Sequence, residues 1–191
     1  LLDHFHIHSL EGLGIGDFET GSVSAGALMQ YLTETQKNSL SQLTKITPYV
    51  TGKYMVIDTS TRRNLELTET LREKNKRGSL LWILDKTKTA MGARLLRTYI
   101  EQPLIEKSEI LKRQGAIQAL VNSAIDREEL REYLNPIYDL ERIISRIANN
   151  TANPRDLVSF RTSLEMLPPM KHILGTFDDS MLTEINENMD A

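Results

Sequence analysis

The chain has 191 residues, 40% of them apolar and 26% charged, which suits one or two globular domains with a sizeable core. It contains no cysteine, so disulfide frameworks and cysteine-bound zinc are excluded, and a reducing, cytoplasmic location is expected. No apolar run approaches the ~18 residues of a membrane span and no signal peptide is visible, so we expect no membrane partner. Since the first residue is Leu1 rather than Met, we also expect a piece of a longer protein.

The net charge of −3 is unevenly distributed along the chain. Residues 62–97 hold ten Lys or Arg against four Asp or Glu, whereas residues 176–191 hold five acids and no base. The overall balance therefore hides one basic stretch and one acidic tail.

Three of the four histidines alternate with apolar residues in the stretch HFHIH, at positions 4, 6 and 8. In an extended strand, side chains at i, i+2 and i+4 point to one face, so three imidazoles could converge on a metal ion. Further ligands are scarce, because His172 is the only other histidine and no H-E-x-x-H motif is present. Three incidental histidines on a solvated strand or terminus are therefore favoured over a metal site.

The next stretch reads as turns, one helix and a linker. The glycines of GLGIGDFETG fail the G-x-G-x-x-G phosphate-binding pattern, because its third glycine would fall on Asp17. A helical stripe follows over residues 24–37, and residues 45–53 read as a linker.

The chain beyond residue 50 reads as almost wholly helical, after one brief strand that KYMVIDTS predicts at residues 55–57. Pro103 and Pro136 each forbid continuation of a helix. The predicted helix starts are Asp58 or Thr59, Ser79, Thr87 or Thr89, Glu106 or Ser108, and Asp126. Short helices joined by short loops indicate an all-α helical bundle, preceded by a short N-terminal remnant of a mixed α/β domain.

Two helices are predicted most clearly. In IYDLERIISRIA, helical spacing predicts a buried stripe of Leu140, Ile143, Ile144, Ile147 and Ala148, so Ile144→Asp is expected to be severely destabilising. In NPRDLVSFRTSLEML, Asn153 is a natural N-cap and Pro154 suits the first turn. The predicted buried side of this second helix comprises Leu157, Phe160, Leu164 and Leu167, and Pro168-Pro169 is expected to end it.

No catalytic constellation is visible, because the chain lacks G-x-x-x-x-G-K-[ST], G-x-S-x-G and an acidic pair for two-metal chemistry. The candidate functional groups are instead arginines that lie near acids. They are Arg62 and Arg63 before Glu66, Asp139 near Arg142, and Arg155 beside Asp156. Such groups more often hold helices in register as ion pairs than form active sites. Arg142→Leu is accordingly expected to be harmful if it leaves Asp139 unpaired in a half-buried place.

The chain closely resembles the bacterial MutS family of DNA mismatch-recognition ATPases in three blocks of its core, or lever, region: MVIDTSTRRNLELTETL, GSLLWILDKTKTAMGARLLRTYIEQPL and YDLERIISRIANNTANPRDLVSFRTSL. The stretches FHIHSLEGLGIGD and AGALMQYLTETQK are similar to the end of the connector domain that precedes this core. The resemblance covers nearly the whole chain. It implies a connector end with linker at residues 1–46 and the first part of the core at residues 47–191, and it does not include the histidine set.

The resemblance implies a structural, allosteric segment that couples an ATPase domain to the DNA-binding clamp and mismatch-reading domains. It implies no enzyme activity and no cofactor here, because the family's Phe-x-Glu and ATPase motifs are absent; ATP and Mg²⁺ belong to the full-length protein. That protein is expected to be a cytoplasmic, nucleoid-associated homodimer that binds mismatched duplex DNA through other domains and works with partners such as MutL. The residues expected to have structural or coupling roles are Arg62, Arg63, Asn64, Glu66, Asp85, Arg94, Asp139, Glu141, Arg142, Arg146, Arg155 and Asp156.

Direct DNA contact by this segment is expected to be weak and non-specific, because helices scatter the bases of residues 62–97 over several faces. Two alternative functions stay open. A helical protein-interaction module would show an exposed apolar patch, and a metal-dependent hydrolase built on the N-terminal histidines would bind a metal ion.

Overall fold

The computed structural model describes residues 1–35, 40–41, 43–48 and 51–189, and it forms two compact units, Leu1–Thr51 and Gly52–Ala191. Every regular element in the described part of the chain is helical, apart from one isolated antiparallel bridge between Tyr54 and Leu104. The prediction of an all-α protein is therefore confirmed. The naming of residues 1–46 as a connector end and 47–191 as a core stays a prediction.

The α-helices of the described residues are α1 (Leu2–Phe5), α2 (Glu19–Thr35), α3 (Thr59–Asn64), α4 (Leu80–Leu84), α5 (Ala90–Glu101), α6 (Lys107–Asn122), α7 (Ala124–Leu134), α8 (Leu140–Ala148), α9 (Pro154–Leu164), α10 (Leu167–Leu174) and α11 (Ser180–Glu187). From α4 onward the α-helices are joined by short connections. Side-chain caps start most helices of the second unit, because they satisfy backbone N–H groups that lack partners in the first turn. These caps are Asp58, Ser79, Thr89, Glu106, Asp139, Asn153 and Asp179.

In the first unit, α2 begins at Glu19, five residues before the predicted start. The predicted end at Lys37 lies outside the described residues, as do residues 49 and 50 of the predicted linker. Ile15 is buried beside α2, where its carbonyl accepts a 3.3 Å hydrogen bond from the Ser22 hydroxyl. This contact ties the turn before α2 to the first turns of the helix.

The core of the second unit is formed mainly by α6, α7, α10 and α11. Its buried side chains are Ala116, Leu130, Ile137, Met170, Ile173, Leu174 and Leu182. Helix α6 packs on α7 and α11, and α10 packs on α7 and α11, so the four helices enclose one apolar cluster. Helices α8 and α9 pack against each other beside it.

Three predictions about local structure are wrong. Residues 55–57 form no strand, because only Tyr54 bridges to Leu104 and the neighbouring Pro103 has no N–H to extend the pairing. Helix α7 begins at Ala124 rather than Asp126, which lies in its first turn. The two prolines at 168–169 do not end α9, which stops at Leu164; they lie in the first turn of α10, where proline is well tolerated.

The predicted burial of α8 and α9 is correct only in part. Ile143 is 6% exposed, but Ile144 is 53% exposed, so the stripe does not face the interior along its whole width. On α9, Leu157 and Leu164 are exposed, whereas Ser163 is fully buried. Ser163 accepts a 3.0 Å hydrogen bond from the Tyr138 N–H and donates to the Ser159 carbonyl at 2.8 Å, so a polar contact occupies the centre of this packing.

None of the described helices has the length and apolar character needed to cross a membrane.

The difference between Ile143 and Ile144 gives a direct stability test. We expect Ile143→Asp to destabilise the chain by about 3 kcal/mol or more, because it buries an unpaired charge. Ile144→Asp, the same change at an exposed neighbour on the same helix, is expected to change stability by less than about 0.5 kcal/mol. Urea midpoints of the two variants measure both effects, and equal midpoints would show that the burial pattern of α8 is wrong.

Candidate functional site

Half of the residues predicted from the sequence meet in contacts that join α5 to the start of α8 and α8 to the start of α9. Arg94 of α5 donates from Nη1 and Nη2 to the two carboxylate oxygens of Asp139 at 2.7 and 2.8 Å. Its Nη2 also donates to Glu141, in the first turn of α8. A bidentate fork of this kind fixes the orientation of both side chains as well as their distance. Arg94 therefore links α5 to the start of α8.

Asp139 is also the N-cap of α8. Asp139 Oδ1 accepts a 3.4 Å hydrogen bond from the backbone N–H of Arg142, and Asp139 Oδ2 lies 3.3 Å from Arg142 Nε. The hydrogen bond from Arg94 is the main cause that lowers the pKa of Asp139, and the same pairing raises the pKa of Arg94. The predicted neighbour Arg142 is thus only a secondary partner, because Arg94 already satisfies this carboxylate.

Arg146 and Asp156 continue the connection from α8 to α9. Arg146 Nη1 donates to Asp156 Oδ1 at 2.8 Å. Asp156 also closes a capping box with Asn153, since each side chain accepts a 3.0 Å bond from the other residue's backbone N–H. The predicted pairing of Asp156 with Arg155 is wrong: Arg155 is exposed and makes no ion pair among the described residues.

Asp85 closes the turn between α4 and α5. Hydrogen bonds from Lys76 and then from the Thr87 hydroxyl, the latter at 2.6 Å, lower the pKa of Asp85 to about 2. The Asp85 side chain is largely buried, whereas Lys76 is about half exposed. This carboxylate therefore anchors the loop before α4 to the loop after it.

Around α3, neither Arg62 nor Arg63 forms an ion pair with Glu66, so the predicted pairing of these residues is wrong. Arg62 Nε donates to the Ile57 carbonyl at 3.0 Å, and Glu66 accepts a 2.6 Å bond from the Leu71 N–H. Glu66 has a left-handed backbone, with φ of 49°, which turns the chain away from α3. Arg63 and Asn64 are exposed, and neither side chain has a hydrogen bond or ion pair in the described part of the chain.

The histidines are not arranged on an extended strand. His4 lies in helix α1, where its ring Nε2 is 2.8 Å from the Leu43 carbonyl, and His6 has a left-handed backbone at the end of that helix. Because His4 is helical, His6 is left-handed and His8 lies in a bend, the extended strand considered for a three-histidine site is wrong. Across residues 1–35, 40–41, 43–48 and 51–189, no group of three or more His, Asp or Glu is placed to hold a metal ion.

Sequence reasoning missed two contacts that join α6 to its neighbours. Arg113 lies over the ring of Tyr99 in α5, 3.6 Å from its centroid, and Lys112 pairs with Glu184 in α11. It also missed that Arg94 and Asp139 are partners. Arg94 and Asp139 lie 45 positions apart and Lys112 and Glu184 lie 72 apart, so no local sequence signal identifies these pairs. Arg113 and Tyr99 lie on neighbouring helices, and periodicity alone does not show which helix faces meet.

Comparison with known proteins identifies the second unit most clearly. The profile of the family described as MutS domain III matches residues 60–190. The chain is 61% identical over 191 residues to a DNA mismatch repair protein MutS of Lachnoclostridium phytofermentans, covering 100% of this chain and 20% of that protein. It is 47% identical over 189 residues to the corresponding protein of Alkaliphilus oremlandii, covering 99% of this chain and 22% of that protein. The chain therefore spans about a fifth of the length of these curated relatives.

Variants of Asp139 separate its two structural roles. Asp139→Asn keeps an N-cap oxygen but removes the charge, so its lower urea midpoint reports the loss of the pairing with Arg94. Asp139→Ala removes the cap as well, and we expect it to lose about 1 kcal/mol beyond the Asn variant. Arg142→Leu is the control, because Asp139 keeps Arg94; we expect a change below about 0.5 kcal/mol. A larger loss in Arg142→Leu than in Asp139→Asn would contradict this order.

Acid unfolding tests the role of Asp85. Because its folded pKa lies below its unfolded value, ionised Asp85 stabilises the fold above an ordinary carboxyl pKa of about 4, and this contribution is lost as the pH falls towards about 2. We expect Asp85→Asn to lose about 1 kcal/mol less stability than the natural chain between about pH 5 and pH 2, after allowance for the exposed partner. Urea unfolding at both pH values measures this difference, and parallel losses would argue against it.

Proposed function

This chain belongs to the MutS domain III family, and from that premise we propose that it is a structural and coupling segment of a longer DNA mismatch repair protein. The observation that carries the coupling role is the series of charged contacts from α5 through α8 to α9. Arg94 holds the start of α8, and Arg146, in the last turn of α8, holds the start of α9. Each contact acts at a helix terminus, so a displacement of one helix changes the position of the next.

The ion pairs between α5, α8 and α9 restrict helix orientation more than they stabilise the fold, and this supports the coupling role. The arginines of this series are about half exposed, and ion pairs that are open to solvent on one side contribute little to folding free energy, about 0–1 kcal/mol. The series is therefore poorly explained as a means of holding the chain together. Bidentate and capping contacts do restrict orientation, which is the property that a segment transmitting movement requires. We propose that Arg94, Asp139, Glu141, Arg146 and Asp156 keep these helices in register.

The activity of the whole protein is likewise a proposal. We propose that the longer protein binds mismatched duplex DNA and hydrolyses ATP with Mg²⁺ in domains outside this chain, while this segment has no enzyme activity and no cofactor. We further propose that it acts as a cytoplasmic, nucleoid-associated homodimer with mismatch-repair partners such as MutL. Residues 1–46 would then be the end of a connector domain, and residues 47–191 the first part of a core.

A protein-interaction module is the second candidate, and α4 is the feature that favours it. Four of its five side chains, those of Leu80, Trp82, Ile83 and Leu84, are exposed, and only Leu81 is buried. Exposed apolar clusters of this kind often mark contact surfaces. Contact with other parts of a longer protein would use such a surface without contradicting the coupling role.

The coupling role is tested in the longer protein that contains this chain. We expect Asp139→Asn to leave nucleotide-free binding of a mismatched duplex within about twofold, but to reduce the effect of ATP on release of that duplex by about fivefold or more. Arg161→Gln is the matched control, because Arg161 is exposed and its one ion pair among the described residues is with Glu165, the C-cap of its own helix, at 3.4 Å. Stopped-flow release with and without ATP measures the effect. Normal ATP-triggered release in Asp139→Asn would remove the support for coupling.

The chain by itself is expected to bind matched and mismatched duplexes with the same affinity. We expect non-specific duplex binding with a dissociation constant no better than about 10⁻⁶ to 10⁻⁴ M, weakening steeply with salt because counterions are released on binding. Fluorescence anisotropy with matched and mismatched duplexes provides the measurement. A preference for the mismatch above about tenfold, or ~1.4 kcal/mol, would place base recognition within this segment and defeat the proposal.

A further inference from the structure

A shallow concavity of about 410 Å³ lies beside α8 and is lined by Arg94, Glu141, Arg142, Ser145 and Arg146. Arg142, Ser145 and Arg146 stand at positions i, i+3 and i+4 of this helix, so their side chains share one face. Three guanidinium groups and a hydroxyl therefore surround one open surface.

Much of the hydrogen-bonding capacity of these side chains is unused. A guanidinium has five N–H donors. Arg142 approaches Asp139 only through Nε, at 3.3 Å, so both of its Nη groups lack a partner among the described residues. Arg146 uses Nη1 for Asp156, which leaves Nη2 and Nε, and the Ser145 hydroxyl makes no bond within the described part of the chain. The surface thus offers two arginine forks and a hydroxyl to a ligand.

The positive and negative charges around the concavity are equal in number but differ in solvent exposure. Three arginines face the acids Asp139, Glu141 and Asp156, so the formal sum is zero. However, the Asp139 side chain is 16% exposed, whereas that of Arg142 is 75% exposed, and Arg146 and Asp156 differ in the same direction. The least exposed acids hold the arginines in place, and the groups most accessible to solvent are positive, apart from Glu141, which is paired with Arg94.

We propose that Arg142, Ser145 and Arg146 form an oxyanion site that binds a phosphate group. Guanidinium forks match pairs of phosphate oxygens. A free phosphate or a phosphate monoester has at least three terminal oxygens and can accept from two forks and a hydroxyl together, whereas a phosphodiester has two non-bridging oxygens and would engage the forks only. Two sources carry this chemistry, a free phosphate ion or ester and the phosphodiester backbone of duplex DNA. Arg146 also belongs to the proposed coupling series through Asp156, but Arg142 and Ser145 do not, so a variant of Arg142 tests the phosphate site separately from the coupling role.

The site is tested with the 191-residue chain in two arms. In the first, inorganic phosphate is titrated while NMR follows the arginine Nε–H signals; we expect Arg142→Gln to weaken binding about fivefold or more. In the second, a matched duplex of about 20 base pairs is titrated by fluorescence anisotropy at several salt concentrations. If the backbone is the source, Arg142→Gln also reduces the slope of log K against log salt by about one.

Two further variants complete the experiment: one is expected to strengthen phosphate binding, and the other is a control that should not change it. Glu141→Gln removes the only well-exposed negative charge of the lining, so we expect it to tighten phosphate binding by about twofold to threefold. Arg161→Gln removes an equally exposed arginine with a similarly long ion pair on α9, and we expect both arms to stay within about twofold of the natural chain.

The outcomes are distinct. A response to Arg142→Gln in the phosphate arm alone identifies a free phosphate ligand, and a response that includes the duplex arm identifies the DNA backbone. If Arg142→Gln matches Arg161→Gln in both arms, the concavity is only a set of surface ion pairs and the proposal is overturned.

Discussion

Asp139 is the residue on which the arrangement of α5, α8 and α9 most depends. One carboxylate caps the first turn of α8 and receives both arms of the Arg94 guanidinium from α5. A cap satisfies backbone donors that would otherwise lack partners, and the fork fixes the direction from which α5 approaches. Because both functions use the same two oxygens, the start of α8 cannot be displaced without loss of the contact to α5.

The apolar core and this polar connection draw mainly on different helices of the second unit, although Met91 of α5 and Leu140 of α8 also pack against the core. The buried cluster belongs mainly to α6, α7, α10 and α11, whereas the forks and caps join α5, α8 and α9. Burial of apolar area supplies most of the folding free energy, and partly exposed ion pairs supply little of it. The two parts are therefore suited to different tasks: the first keeps the chain folded, and the second determines how helices are oriented relative to one another.

Local features could be predicted from the sequence, but partnerships over long distances could not. The sequence predicts Ser79 and Asn153 as caps, and Thr89 as one of two alternatives with Thr87, and these are confirmed because a capping side chain and its backbone target lie within three residues. Arg94 and Asp139 were both named as candidates, yet nothing local indicates that they bind each other across 45 positions. For this reason Asp156 was predicted to pair with its neighbour Arg155 rather than with Arg146, and Arg94 was missed as the main partner of Asp139.

The exposed isoleucine of α8 shows what helical periodicity does and does not report. Apolar spacing identifies the face of a helix that avoids water, but it does not identify what covers that face. Ile143 is covered here and Ile144 is not, although both belong to one stripe. The chain spans about a fifth of the length of its relatives, and the proposed role inside a longer protein accounts for apolar surface that its own helices leave exposed. On that argument, the same residues that made the burial prediction wrong for this chain are where contacts with the rest of a longer protein should be sought.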